Sequence, residues 1–329
     1  VVALGGGTGL STVLRGLKEY TANMTAVVTV ADDGGSSGRL RQTFHMPAPG
    51  DLRNCLAALA DSEPTMERLL SYRYTRGEGF QGHSFGNVLL ATLSEMSSDF
   101  STAIKQASAI LAVRGTVLPA TNVPVTLVAE LADGSQVRGE TKIREANKGI
   151  KELWLDPGDV RPPPEVLQAI MEAELVVLGP GSLYTSVIPN LLVPGIADTI
   201  RRSRAVTVYV CNIMGEPGET AGFGAVDHYQ VLQRYLGAGV DMVLVNTTQP
   251  DTPRLERYVR SGGTLVPPQV AELAALGVRV VARPLLAPGE LIRHDPQLAA
   301  KALLGLLRRE RRQEQYGPLW SEESDEGVP

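Results

Sequence analysis

Along most of the chain, apolar runs of strand length alternate with amphipathic stretches of helical period. Residues 1–4 and 24–30 (MTAVVTV) are continuous apolar runs, and the stretch 11–20 between them carries Val13, Leu14 and Leu17 at helical spacing. Uninterrupted apolar runs suit strands of a parallel sheet covered on both faces, and strand–helix–strand is a βαβ unit. Helical patterns follow over 51–61, 64–74, 87–97 and 100–112, with Pro64 suited to a first turn and Asp51 or Ser62 to a cap. Further strand-like runs fall at 175–179, 205–211, 241–246 and 278–283. Helical patterns lie at 164–173 and 226–236, and a last helix is expected over 296–311. The alternation predicts a three-layer α/β fold with a mostly parallel sheet.

Between 115 and 156 the period changes. VPVTLVAEL, the turn Asp133-Gly134 and QVRGETKI read as a β-hairpin, with KELWL as a further strand. This segment is expected to be a small antiparallel insert in a single domain spanning 1–311. Residues 312–329 end acidic and polar (SEESDEGVP) and are expected to be disordered.

Composition narrows the function classes. The net charge of −5, with one basic run (Arg308, Arg309, Arg311, Arg312), argues against nucleic acid as a partner. Aromatic residues make up 5% of the chain, too few for a single-strand stacking platform. No apolar run reaches membrane-spanning length, and residues 1–30 lack the basic-then-apolar pattern of a secretory leader. Cys55 and Cys211 lie far apart in apolar surroundings and read as buried free thiols of a reducing compartment. Metal-binding motifs such as CxxC or HExxH do not occur.

The chemistry gathers in glycine-rich turns. The first strand ends in Gly5-Gly6-Gly7-Thr8-Gly9 before turning helical. Glycines let backbone N–H groups approach a ligand, and free N–H groups at a helix start favour anions. The turn is neither common fingerprint: Leu10 stands where a dinucleotide motif needs glycine or alanine, and no lysine precedes Lys18. A second such turn is Gly179-Pro180-Gly181-Ser182, followed by Thr185 and Ser186. After the second strand come Asp32 and Asp33, a pair that suits Mg²⁺ or a ribose and equally suits a turn. Ser36, Ser37, Arg39 and Arg41 follow, in what reads as a polar glycine loop over 31–39. In Gly50-Asp51-Leu52-Arg53-Asn54, Asp51 is either an N-cap or a metal ligand, and Arg53 and Asn54 are within reach of a nucleotide. In GHSFGN, His83 suits a phosphate donor or an acid/base, and Ser84 or Asn87 suits a helix cap. The glycine turns at 5–9 and 179–182 and the loop at 31–39 fall at the carboxyl edge of the predicted sheet, where open α/β sheets bind ligands.

Taken together, GGGTGLS (5–11), VTVADDGGSSGRLR (28–41), APGDLRN (48–54), GHSFGN (82–87) and GPGSLYTSVIPNLLVPGI (179–196) closely resemble the bacterial gluconeogenesis factor family. That family is related to 2-phospho-L-lactate transferase. The resemblance runs from residue 1 to about 308. It implies a Rossmann-like three-layer fold, a cytoplasmic protein and binding of UDP-sugars such as UDP-N-acetylglucosamine. It also implies a role in cell shape and wall-precursor metabolism on gluconeogenic carbon sources. No catalytic residue and no required cofactor are implied. The nucleotide-facing amides would be those of Gly6, Gly7, Thr8, Gly9, Gly181 and Ser182. Tyr258 and Arg293 fall where the family contacts the UDP-sugar, although the residues alone would pass for a helix-face aromatic and a surface charge. Under the transferase alternative, Asp33 and Asp51 would hold Mg²⁺. A homo-oligomer is expected, with cell-wall or aminosugar pathway proteins as partners and neither nucleic acid nor membrane insertion.

Overall fold

The computed structural model describes residues 1–61 and 64–316. Ser62, one expected cap, lies outside the described residues, as does the acidic segment 317–329. The described strands are β1 (Val2–Gly5), β2 (Thr25–Val28), β3 (Thr116–Pro119), β4 (Thr126–Leu131), β5 (Gln136–Arg138) and β6 (Ile150–Asp156). They continue with β7 (Leu175–Leu178), β8 (Val206–Val210), β9 (Met214–Gly215), β10 (Met242–Asn246), β11 (Thr264–Leu265) and β12 (Arg279–Arg283).

Seven strands form one sheet in the order β12-β10-β8-β7-β1-β2-β3. Every pairing in it is parallel. The predicted apolar runs are therefore its strands, and β1 and β7 are buried at every position. From β1 the chain winds outward through β2 to β3, and from β7 it winds the other way through β8 and β10 to β12. Right-handed crossovers running in opposite directions put their helices on opposite faces, which produces the three layers. The strand order thus reverses between β1 and β7, neighbours in the sheet, and a crevice opens there above the carboxyl ends.

Three local expectations are corrected. The insert starts later than 115, because β3 is an edge of the main sheet, parallel to β2. The insert sheet is β5-β4-β6, antiparallel, as expected of the hairpin and of KELWL. QVRGETKI is a strand only to Arg138: Gly139 turns at φ +99° and the helix Glu140–Ala146 follows. Asp33, 108 residues earlier, accepts bonds from the Thr141 N–H and hydroxyl and fixes that helix start. Residues 31–39 are not all loop either, since a helix spans Gly35–Phe44. It buries Ser36, Ser37 and Gly38 beside Leu40, so its inner face is largely polar and shows little apolar period. Cys55 and Cys211 are free and buried.

The helix Gly7–Leu17 starts inside the first glycine turn. A Cβ on Gly9 would lie 2.5 Å from the Pro180 carbonyl and 2.7 Å from the Gly181 Cα, both backbone atoms of the second turn. Gly9→Ala must push the two turns apart and is expected to cost about 1–3 kcal/mol. Gly305, inside the helix Pro296–Tyr316, has open space around its Cβ position, so Gly305→Ala should gain up to about 1 kcal/mol. Urea unfolding measures both; equal midpoints for the two variants would contradict this packing.

Candidate functional site

The two glycine turns end adjacent strands and meet at Gly9 and Gly181, so their backbone lies side by side along one rim. Gly6 also leaves no room for a side chain: its Cβ would stand 2.3 Å from Asp51 Oδ2 and 2.7 Å from Thr29 Cγ2. The rim opens on a cleft of about 520 Å³, a volume in the range of small-molecule sites. Gly6, Gly7, Thr8, Gly9, Gly181, Ser182 and Ser186 line one wall. After β7 the chain does not enter a regular helix directly. It makes a wide π-type turn, Leu183–Val187, then the short helix Ile188–Leu191.

A small separate apolar cluster builds the opposite lip. Ile213, Met214 and Ile292 pack with Leu255, Tyr258, Leu265 and Leu286. The two-strand sheet β9–β11 ties this lip together, pairing Met214 with Leu265. The Tyr258 hydroxyl accepts from the Ile292 N–H at 3.2 Å, which holds the ring beside the loop carrying Arg293. Tyr258, Arg293 and His294 all line the cleft. His294 is buried, which pushes its imidazole down to about 4 and keeps it neutral near pH 7.

The cleft floor is acidic. Asp32, Asp51, Glu140 and Glu216 line it, with Arg144 and Arg293 as the cations. Asp51 accepts a hydrogen bond from the Gly7 N–H, while burial and then the charge of Asp32 push its carboxyl up to about 7. Burial, followed by Asp32 and Asp51, pushes Glu140 up to about 9, against the nearby Arg144. On the second turn, the Ser182 hydroxyl donates to Glu216 Oε2 at 2.6 Å. Behind it the Thr185 hydroxyl donates to buried Glu219 at 2.9 Å, and burial with Glu216 alongside raises that carboxyl. Near neutrality, then, Asp51 is partly and Glu140 largely protonated, and a neutral carboxyl can donate to an anion.

The predicted residues separate into two groups. Gly6, Gly7, Thr8, Gly9, Asp32, Asp51, Gly181, Ser182, Ser186, Tyr258 and Arg293 share the cleft. Asp33 does not line it; its carboxylate is turned to Thr141, and Asp32 is the acid facing Asp51. Ser36, Ser37, His83 and Asn87 form a buried network behind the site. Ser36 Oγ stands 3.0 Å from His83 Nδ1, and the Asn87 amide donates to Ser36 at 3.2 Å and to Ser37 at 3.4 Å. Burial and the neighbouring Arg39 and Arg73 lower the His83 pKa. Arg39 is exposed and donates to the Gln81 carbonyl; Arg41 donates to Thr126. Asn54 lines a neighbouring cavity, where it accepts from Arg53 at 2.6 Å. Thr185 is spent on Glu219. Glu140, Arg144, Asn212, Glu216 and His294 were not anticipated. Of these, Asn212 and Glu216 sit in CNIMGEPGET, the segment that follows strand β8.

The family model described as 2-phospho-L-lactate transferase CofD matches residues 1–286. The gluconeogenesis factor of Bacillus subtilis (strain 168) is 44% identical over 310 residues, covering 94% of this chain and 98% of that protein. The chain belongs to the gluconeogenesis factor family. A second member, from Halalkalibacterium halodurans, is 46% identical over 306 residues, covering 92% of this chain and 95% of that protein. A relative from Nostoc sp. (strain PCC 7120) is 48% identical over 92% of this chain, which spans 68% of that longer protein. A crystal structure of a Bacillus halodurans protein superposes with a TM-score of 0.90 at 45% identity, covering 92% of this chain and 98% of that one. The fold of this family member is thus the Rossmann-like α/β fold. Among the described residues no helix is long and apolar enough to cross a membrane.

The raised carboxyl of Asp51 makes a stability prediction. Its folded pKa of about 7 lies above the unfolded value, so the folded chain holds a proton that the unfolded chain releases. Stability therefore falls as pH rises from the unfolded pKa of about 4 to the folded one, and the cost persists above it. Asp51→Asn keeps an acceptor for Gly7 and removes that cost. The variant should be more stable by on the order of 1–3 kcal/mol at about pH 8, with no gain near about pH 4. Denaturant titrations at both pH values check this; a gain independent of pH would contradict the assignment.

Proposed function

We propose that this protein binds a nucleoside-diphosphate sugar in the cleft, UDP-N-acetylglucosamine by family resemblance, and acts as a regulator that does not turn it over. The observation that carries the reading is the pair of touching glycine turns at the strand-order reversal. Peptide N–H groups of two adjacent turns suit a pyrophosphate. The Tyr258 ring suits a nucleobase and the Arg293 guanidinium a phosphate. The expected setting is the cytoplasm, with a role in cell shape and wall-precursor metabolism on gluconeogenic carbon sources. Proteins of aminosugar or wall synthesis would read the signal, from a homo-oligomer.

The acidic floor supports a second reading, Mg²⁺-dependent transfer from a nucleotide-linked donor as in the 2-phospho-L-lactate transferases. Among the described residues no three His, Cys, Asp or Glu side chains form a metal cage. Asp32 and Asp51 face each other beside the first turn, and Mg²⁺ is commonly held by one or two carboxylates, waters and substrate phosphate. The pair fits that minimal role, in which the ion would neutralise phosphate charge. Asp33, turned to Thr141, does not fit it.

The two readings differ in their pH and metal dependence. For the regulator, protonated Asp51 and Glu140 accept the diphosphate without metal. Affinity then falls as they ionise, by roughly tenfold or more between about pH 6 and about pH 9. Calorimetry with UDP-N-acetylglucosamine in EDTA tests this; no heat at millimolar ligand would remove the regulator reading. Binding that requires Mg²⁺ and strengthens with pH would favour the transferase. Arg293→Ala should weaken binding by about 1–3 kcal/mol, the cost of a lost charge-assisted hydrogen bond. Unchanged affinity would remove Arg293 from the site.

A further inference from the structure

Beside the acidic cleft lies a second cavity of about 350 Å³. Three helices wall it: Gly7–Leu17 with Thr8, Ser11, Thr12 and Arg15; Gly50–Leu59 with Arg53 and Asn54; and Pro64–Ser71 with Arg68. Thr8 and Arg293 line both cavities, so the two adjoin at the start of the first helix. Their charges are opposite. Arg15, Arg53, Arg68 and Arg293 line the second cavity, and Glu67 is the one acid among its described lining residues. Glu67 is already engaged by Arg15 at 3.1 Å. Arg53 donates to neutral oxygens, Ser84 Oγ at 3.0 Å and Asn54 Oδ1 at 2.6 Å, so its charge has no anion bonded to it. Burial and then Arg73 lower its pKa, against the opposing charges of Asp51 and Asp32 in the adjoining cleft. Arg68 and Arg293 are exposed at the rim, with no acid among the described residues bonded to either.

Like charges are costly to hold together unless an anion joins them. A planar guanidinium is also the side chain best matched to phosphate and carboxylate oxygens. We infer that the second cavity is a binding site for a small phosphomonoester anion, lying next to the cleft and sharing Thr8 and Arg293 with it. The inference rests on the charge and walls of this cavity and does not require that the cleft hold a nucleotide sugar. A protein with both sites would sense, or bring together, a nucleotide ligand and a phosphorylated metabolite across Thr8.

Inorganic phosphate is the probe. Phosphorus NMR line broadening, titrated with phosphate against chloride at matched ionic strength, should show saturable binding to the whole protein. Arg68→Gln removes an exposed cation without touching the core and should weaken phosphate about fivefold or more, a charge-assisted contact at a partly exposed site. Arg53→Lys, which keeps the charge but loses the fork, should weaken it as well if it folds; Arg68→Gln decides the matter if it does not. Arg308→Gln, on the C-terminal helix and outside this cavity's lining, should change nothing. Ser182→Ala, in the cleft, should leave phosphate binding intact. Absence of saturable binding would overturn the inference. So would binding lost in Ser182→Ala and kept in Arg68→Gln, because the phosphate would then sit on the glycine turns. UDP-N-acetylglucosamine binding is read separately by calorimetry, so the cleft reading can fail while this one stands.

Discussion

The constraint on which the site depends is the contact between two backbone turns. Gly9 presses on Pro180 and Gly181 with no room for a methyl group between them. That approach is imposed by the topology, because β1 and β7 are paired neighbours from which the chain winds in opposite directions. Any side chain at position 9 would part the turns and open the rim. The remaining site parts are added to this pair from both sides: acids from the segment after β2 and from the first turn of the helix Gly50–Leu59, and the Tyr258–Arg293 lip from the small second core.

Electrostatics then governs what the rim can hold. Each turn already meets a carboxyl group: Asp51 takes the Gly7 N–H and Glu216 takes the Ser182 hydroxyl. A cleft with ionised acids at both turns would repel a diphosphate. Burial resolves part of the conflict by raising Asp51 and Glu140 toward their neutral forms, and Arg144 offsets more. The site is therefore tunable by proton or cation, in contrast to a plain glycine phosphate loop. The arginine-lined cavity beside it has the opposite sign, so the shared wall at Thr8 separates an acidic chamber from a basic one.

Much of this was legible in the sequence. The apolar runs became the parallel strands because strands buried on both faces need no polar alternation. The glycine turns and Asp51 were readable because their residue types answer a backbone requirement at a fixed place. What escaped depends on distant partners. Asp33 was indistinguishable from Asp32 until Thr141, far along the chain, claimed it. The helix Gly35–Phe44 looked like loop because its buried face is made of serines and glycine held by Asn87. His83 and Asn87 read as ligand donors because polar loops face binding edges, whereas here they satisfy Ser36 and Ser37 in the interior. Glu140 and Arg144 lay inside what read as a hairpin, and only Gly139 and its turn bring them to the cleft.

The central claim is that the two touching turns grip the pyrophosphate of a nucleotide sugar. A crystal structure of the protein with UDP-N-acetylglucosamine tests it most directly. The account predicts pyrophosphate oxygens within hydrogen-bond distance of N–H groups from both turns, Gly7 to Gly9 on one side and Gly181 to Ser182 on the other. A pyrophosphate bound by one turn alone, or lodged away from both, would contradict it.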